Sequence, residues 1–127
     1  MKKSEFIELW LQALESGKYK QTKGALVRGA GKEKRYCCLG VACVIGEKNG
    51  IKSIKSINIE ELQLLPNSLA KFLNMQTNGE FKTPIYHENK TYGSLVALND
   101  AGVRFSIIAR IIREQIKAKN FAKPSGK

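Results

Sequence analysis

Histidine occurs once and cysteine three times in this 127-residue chain. A structural zinc site wants four ligands in paired close spacings, and Cys37, Cys38, Cys43 and His87 do not form that pattern. An odd number of cysteines without a secretory leader argues against a disulfide framework and for reduced thiols in a cytoplasm. Long apolar runs are missing too, and none approaches the roughly 18 residues of a membrane span. The opening MKKSEFIELWLQ starts basic, but Glu5 and Glu8 interrupt any signal-peptide core. Repeats and low-complexity tracts are absent. Acidic residues are scarce, 11 against 22 basic ones. These absences set aside a metal centre, a disulfide scaffold and a membrane protein, and no cofactor is expected.

What is present suits one soluble domain spanning residues 1–127, with a core large enough to need no disulfide or metal. The net charge of +11 is unevenly placed. Residues 17–36 carry seven basic side chains against Glu33, and residues 94–127 carry seven against Asp100 and Glu114. The rest of the chain sums to zero. Two separated basic segments attract phosphates or acidic protein surfaces, although a solubilising surface has the same composition.

Apolar spacing predicts a first helix capped by Ser4, with Phe6, Trp10, Ala13 and Leu14 inward and Gly17 at its end. GALVR and KRYC flank GAGKEK and read as a small hairpin. CLGVACVIGEKNG reads as a buried helix closed by Asn49-Gly50. Residues 51–58 suit a short strand, Asn58 with Glu61 a capping pair, and Pro66 the first position of a short helix. EFK and IYH suggest a second hairpin. Ser94 caps LVALND, and a long basic helix follows with Phe105, Ile108, Ala109, Ile112 and Ile116 as its stripe and Arg110, Arg113 and Lys117 as a ridge. Residues 121–127 are expected to fray. The fold class is α+β, mostly helical, with one or two small β-hairpins.

The adjacent cysteines pose a chemical question. Cys37 and Cys38 would need a strained ring to bond each other, and Cys38 and Cys43 diverge by about 140° on a helix. A thiol at a helix N-terminus near Arg35, with His87 and Asn89 or Asn99 downstream, follows the chain order of some cysteine hydrolases. Cysteine is also a small, commonly buried hydrophobe, and the strip Leu39, Ala42, Cys43 and Gly46 suits close helix packing. Core packing is the preferred reading, and an enzyme is not expected.

Binding chemistry is better represented. Lys18, Lys20, Lys23 and Arg28 are interleaved with an aromatic ring, Tyr19, and an amide, Gln21, and Arg35-Tyr36 repeats the pair. Lysine neutralises phosphate, tyrosine stacks on a base and glutamine reads a base edge. Asn99, Arg104, Arg110 and Arg113 near the last helix would complete a pocket, arginine gripping phosphate through two parallel bonds. SLVALNDAGVRFSIIARIIREQIK also echoes the first two helices of a helix-turn-helix unit, without the recognition helix a DNA reader needs.

Trp10, SGKYKQTKGAL at 16–26, YCCLGVAC at 36–43, Leu65-Pro66, LND-G at 98–102 and F-IA-I at 105–112 occur in this order. In these blocks the chain resembles a widespread set of small phage and prophage proteins of unknown function. Arg104 departs from that pattern, which has a small hydroxyl residue suited to capping the last helix. The resemblance implies a phage accessory protein acting in the host bacterial cytoplasm. The leading expectation is a sponge that sequesters a nucleotide or cyclic-nucleotide defence signal, as a homo-oligomer. The alternatives are a DNA-binding accessory protein, an inhibitor of an acidic host protein, and a cysteine hydrolase.

Overall fold

The structure, a computed structural model, describes residues 1–51, 59 and 62–124. Helix α1 (Lys3–Glu15) begins earlier than Ser4 would dictate: Lys2 takes the N-cap position without a side-chain cap, and Ser4 lies in the first turn. Glu5 in that turn complements the positive end of the helix. Phe6, Trp10, Leu11 and Leu14 are buried. The one polar atom on that face is satisfied, because the Trp10 indole N–H donates to the Cys38 carbonyl at 2.9 Å.

Three two-residue strands follow: β1 (Lys20–Gln21), β2 (Val27–Arg28) and β3 (Arg35–Tyr36). The expected hairpin is the antiparallel pair β2–β3. Strand β1 adds to the other side of β3 in parallel, so β3 is central. Helix α2 (Cys38–Lys48) is buried along most of its length, and the Cys37 sulfur accepts the Gly40 amide at 3.3 Å as its N-cap. At Gly40 the helix meets the backbone of Leu26 directly; a Cβ there would lie 1.9 Å from the Leu26 carbonyl oxygen. Gly50, at φ 72°, follows the end of α2, as the Asn-Gly signal implies.

The strand expected at 51–58 and the Asn58–Glu61 pair fall outside the described residues, apart from Ile51. Pro66 is the N-cap of α3 (Asn67–Leu73), one position before the expected one, and left-handed Asn74 closes that helix. EFK and IYH do not oppose each other. Both lie in β4 (Glu80–His87), which pairs antiparallel with β5 (Lys90–Ser94) across an irregular register that contains Pro84. The turn is Glu88-Asn89, both at positive φ (46° and 67°), the backbone a two-residue hairpin requires.

Ser94 caps α4 (Leu95–Asp100) by accepting the Ala97 amide at 3.1 Å. Helix α5 (Phe105–Lys117) starts at Arg104, which makes no side-chain cap. Phe105, Ile108, Ala109, Ile111 and Ile112 are buried, whereas Ile116 is 36% exposed because it lines an open groove against α1. Beyond α5, residues 120–122 pack against β4, while residues 125–127 of the expected frayed tail lie outside the described residues. The Lys82 amide donates to the Asn120 carbonyl, the Ala122 amide donates to the Glu80 carbonyl, and the Phe81 and Phe121 rings lie 5.2 Å apart. The result is an α+β domain with five α-helices among the described residues and two small sheets set on a helical core.

Candidate anion-binding face

Strand register brings cations together that are far apart in sequence. Lys20 sits opposite Arg35, and Arg35 sits opposite Arg28, giving a row of three across β1, β3 and β2. All three are exposed, while Gln21, Tyr36 and Val27 turn toward the core. Neighbouring strands are about 4.8 Å apart, and like charges facing each other at that spacing repel. Neither Lys20 nor Arg35 has an ion pair among the described residues. Arg28 is anchored by its Nε, which donates to the Lys23 carbonyl at 3.0 Å. Lys23 in turn reaches toward the α4–α5 turn, its Nζ 3.5 Å from where a Cβ on Gly102 would be. Lys18 and Lys32 are exposed beside this row in sequence.

The tyrosines do not share that face. Tyr19 and Tyr36 meet edge to face, 5.4 Å apart at 84°, and both are half-buried against the core. The Lys48 ammonium donates to the Tyr19 hydroxyl at 3.2 Å. A strand turns successive side chains to opposite faces, so the expected site of phosphate grips beside base-stacking rings is split. The cations face water and the rings face in.

Asn99 and Gln21 are also committed elsewhere. Asn99 is fully buried. Its Oδ1 accepts from Gln21 Nε2 at 2.9 Å and from the Cys38 amide at 3.1 Å; its Nδ2 donates to the Thr22 carbonyl at 2.7 Å and to Asp100 at 3.3 Å. Gln21 uses its second amide hydrogen on the Val103 carbonyl at 2.8 Å, and Asp100 accepts the Gly24 amide at 3.1 Å. The KYKQ, YCCLG and LND-G blocks therefore converge on one polar knot that ties β1, α2 and α4 together. With all its donors and acceptors used inside the fold, Asn99 is a strut instead of a ligand contact.

The three arginines of the last helix part company. Arg113 donates two parallel bonds to Glu8, at 2.7 and 2.9 Å, and a third to Glu15 at 2.9 Å. These bonds raise the Arg113 pKa above its ordinary value, and the same bonds hold the Glu8 carboxyl below its ordinary value. The ridge expected on α5 is thus partly neutralised by α1. Arg110 is exposed and unpaired among the described residues. Arg104 borders a cleft of about 360 Å³ with His87, Glu88, Lys90, Tyr92 and the turn Ala101–Val103, and the Glu88 carboxylate lies 3.8 Å from the His87 ring. His87 and Lys90 were not singled out as binding residues from sequence. Only the folding of the β4–β5 hairpin onto the turn places them there.

The thiols are enclosed. Cys37, Cys38 and Cys43 are free and buried. Burial pushes the Cys37 thiol up to about 11 and Cys43 up to about 12, and lifts Cys38 well above 9.0. The Gly40 amide pulls Cys37 down only in part. A nucleophilic thiolate needs the opposite environment. Among the described residues no group of three histidine, cysteine or acidic side chains is placed to hold a metal ion, and no helix is long and apolar enough to cross a membrane.

The family described as a domain of unknown function, DUF8296, matches residues 1–116, and the chain belongs to it. No curated protein and no solved structure matches the chain.

Proposed function

We propose that this member of the family is a binding protein whose ligand is a nucleic-acid strand or duplex, held by its phosphates on the outer face of β1–β3–β2. The observation that carries this reading is the row Lys20, Arg35 and Arg28, exposed and without an ion pair among the described residues. Exposed cations on an open face gain little from one phosphate in water but add up along a polyanion, each releasing a condensed counterion. Lys23 extends the row toward the α4–α5 turn, where Arg104 follows. The helix-turn-helix echo contributes that turn and no third helix among the described residues, so contact with phosphate, not base readout, is the mode.

The test is fluorescence anisotropy on a labelled duplex and on a single strand across a salt series. Binding should weaken with a log–log slope of at least about −2.7 on the duplex, from about −0.9 per neutralised phosphate. Lys20→Ala, Arg28→Ala and Arg35→Ala should each make the slope shallower by about one, with melting temperature unchanged. A triple variant that keeps both affinity and slope refutes the assignment.

A second reading, sequestration of a cyclic nucleotide, is favoured by the Arg104 cleft, where Arg104 and Lys90 outnumber the Glu88 carboxylate and stand beside the Tyr92 ring. A concave site suits a small ligand better than an open sheet does. Native mass spectrometry with a cyclic-nucleotide mixture separates the two. Stoichiometric small ligand, lost in Arg104→Ala and retained in the sheet variants, selects the cleft. The same spectra give the oligomeric state, for which sequestration implies a homo-oligomer. The phage resemblance would make either ligand a means of acting on the host.

A further inference from the structure

The groove between α1 and α5 is chemically unlike the sheet face. Two adjoining depressions of about 540 and 390 Å³ share Lys3, Ile7 and Ile116 as a common wall. Together they run from α1 and α5 to the end of α3 and the returning C-terminal segment. The floor is apolar: Ile7, Leu11 and Ile116 at one end, Leu73, Met75 and Phe121 at the other. Lys3, Lys82, Lys117, Lys119 and Lys123 line the same groove, and none has an ion pair among the described residues. The acidic groups present are Glu8, already held by Arg113, and Glu114.

We infer that this groove is a docking surface for an acidic, amphipathic helix of a partner protein. Ile116 at 36% exposure, on a face where the rest of the stripe is buried, leaves apolar area for such a helix to cover. The shape is concave, so it accepts a rod with one apolar edge, whereas a lipid surface is best met by protruding side chains. Five lysines without an ion pair among the described residues, against the single such glutamate Glu114, select a partner whose flanks carry Asp and Glu. The Arg113 bridges to Glu8 and Glu15 join α1 to α5 at the groove. This surface is independent of the sheet cations, so one protein can hold a polyanion and a protein segment on separate faces.

The probe is a synthetic helix of about 18 residues with leucines at i, i+3, i+4 and i+7 spacing and glutamates elsewhere. Controls are a scrambled peptide of the same composition and anionic phosphatidylserine vesicles. The ordered peptide should bind at least tenfold tighter than the scrambled one. Ile116→Glu, at an exposed position, should weaken it at least tenfold, and so should the double variant Lys117→Glu/Lys119→Glu. Lys20→Ala/Arg35→Ala should leave peptide affinity intact, and Ile116→Glu should leave DNA affinity intact. Equal binding of the scrambled peptide, indifference to both groove variants with the fold retained, or binding to vesicles alone overturns the assignment.

Discussion

Replacing Asn99, itself fully buried, by alanine removes four hydrogen bonds. The Cys38 amide stands at the start of α2 and its residue is fully buried, so losing its acceptor costs about 2 kcal/mol. Gln21 keeps its bond to the Val103 carbonyl, and both Gln21 and Thr22 are half-buried. Their lost bonds add about 0.5–1 kcal/mol each, for a total of about 3–4 kcal/mol. For 127 residues the unfolding entropy is about 0.27 kcal/mol per kelvin, so the melting temperature should fall by about 11–15 °C. Circular dichroism melts read this directly. Asn99→Asp keeps the shape and the acceptor oxygen but turns a donor toward Thr22 into a second buried acceptor beside Asp100. Its carboxyl pKa should be raised in the fold, so its contribution is retained at low pH and lost as pH rises. That variant should therefore lie closer to wild type at pH 5 than at pH 7. A melting temperature for Asn99→Ala within about 3 °C of wild type would refute the knot as a source of stability.

Two other stability predictions follow from close packing. Gly40→Ala would place a Cβ 1.9 Å from the Leu26 carbonyl, so α2 and the Leu26 backbone must separate. A loss of about 2–4 kcal/mol is expected in urea unfolding, despite the better helix propensity of alanine. Gly93→Ala, with nothing within 4 Å of its Cβ, should be near neutral by the same measurement. The thiols should resist a disulfide reagent at pH 7 and all three should react once the protein is unfolded. Because Cys37 and Cys43 titrate near 11 and 12 in the fold against an ordinary 9.0, their contribution is complete below pH 9 and lost as pH rises toward 12. The melting temperature should fall across that window. Rapid modification of native protein at pH 7 would contradict the burial.

Much of the local structure was legible in the sequence because it depends on neighbours in the chain. The 3.6-residue spacing of Phe6, Trp10 and Leu14 marks α1. The small apolar run marks α2, and Ser94 with its hydroxyl marks the start of α4. The α+β class and the buried character of the cysteines follow from the same signals. The candidate site was legible only as a composition. That residues 17–36 are basic is a sequence fact; that Lys20, Arg35 and Arg28 stand in one row is a pairing fact. Likewise, the interleaved tyrosines suggested stacking beside phosphate grips, but the pleat sends rings and cations to opposite faces. Arg113 meets carboxylates 105 and 98 residues away, and Asn99 meets partners 78 and 61 residues away. No local rule reaches that far. Periodicity and caps determine which segments form helices and turns, since their hydrogen bonds close within a few residues. Which charges remain free for a ligand is decided when distant segments pack, because only then does each side chain find or lack a partner.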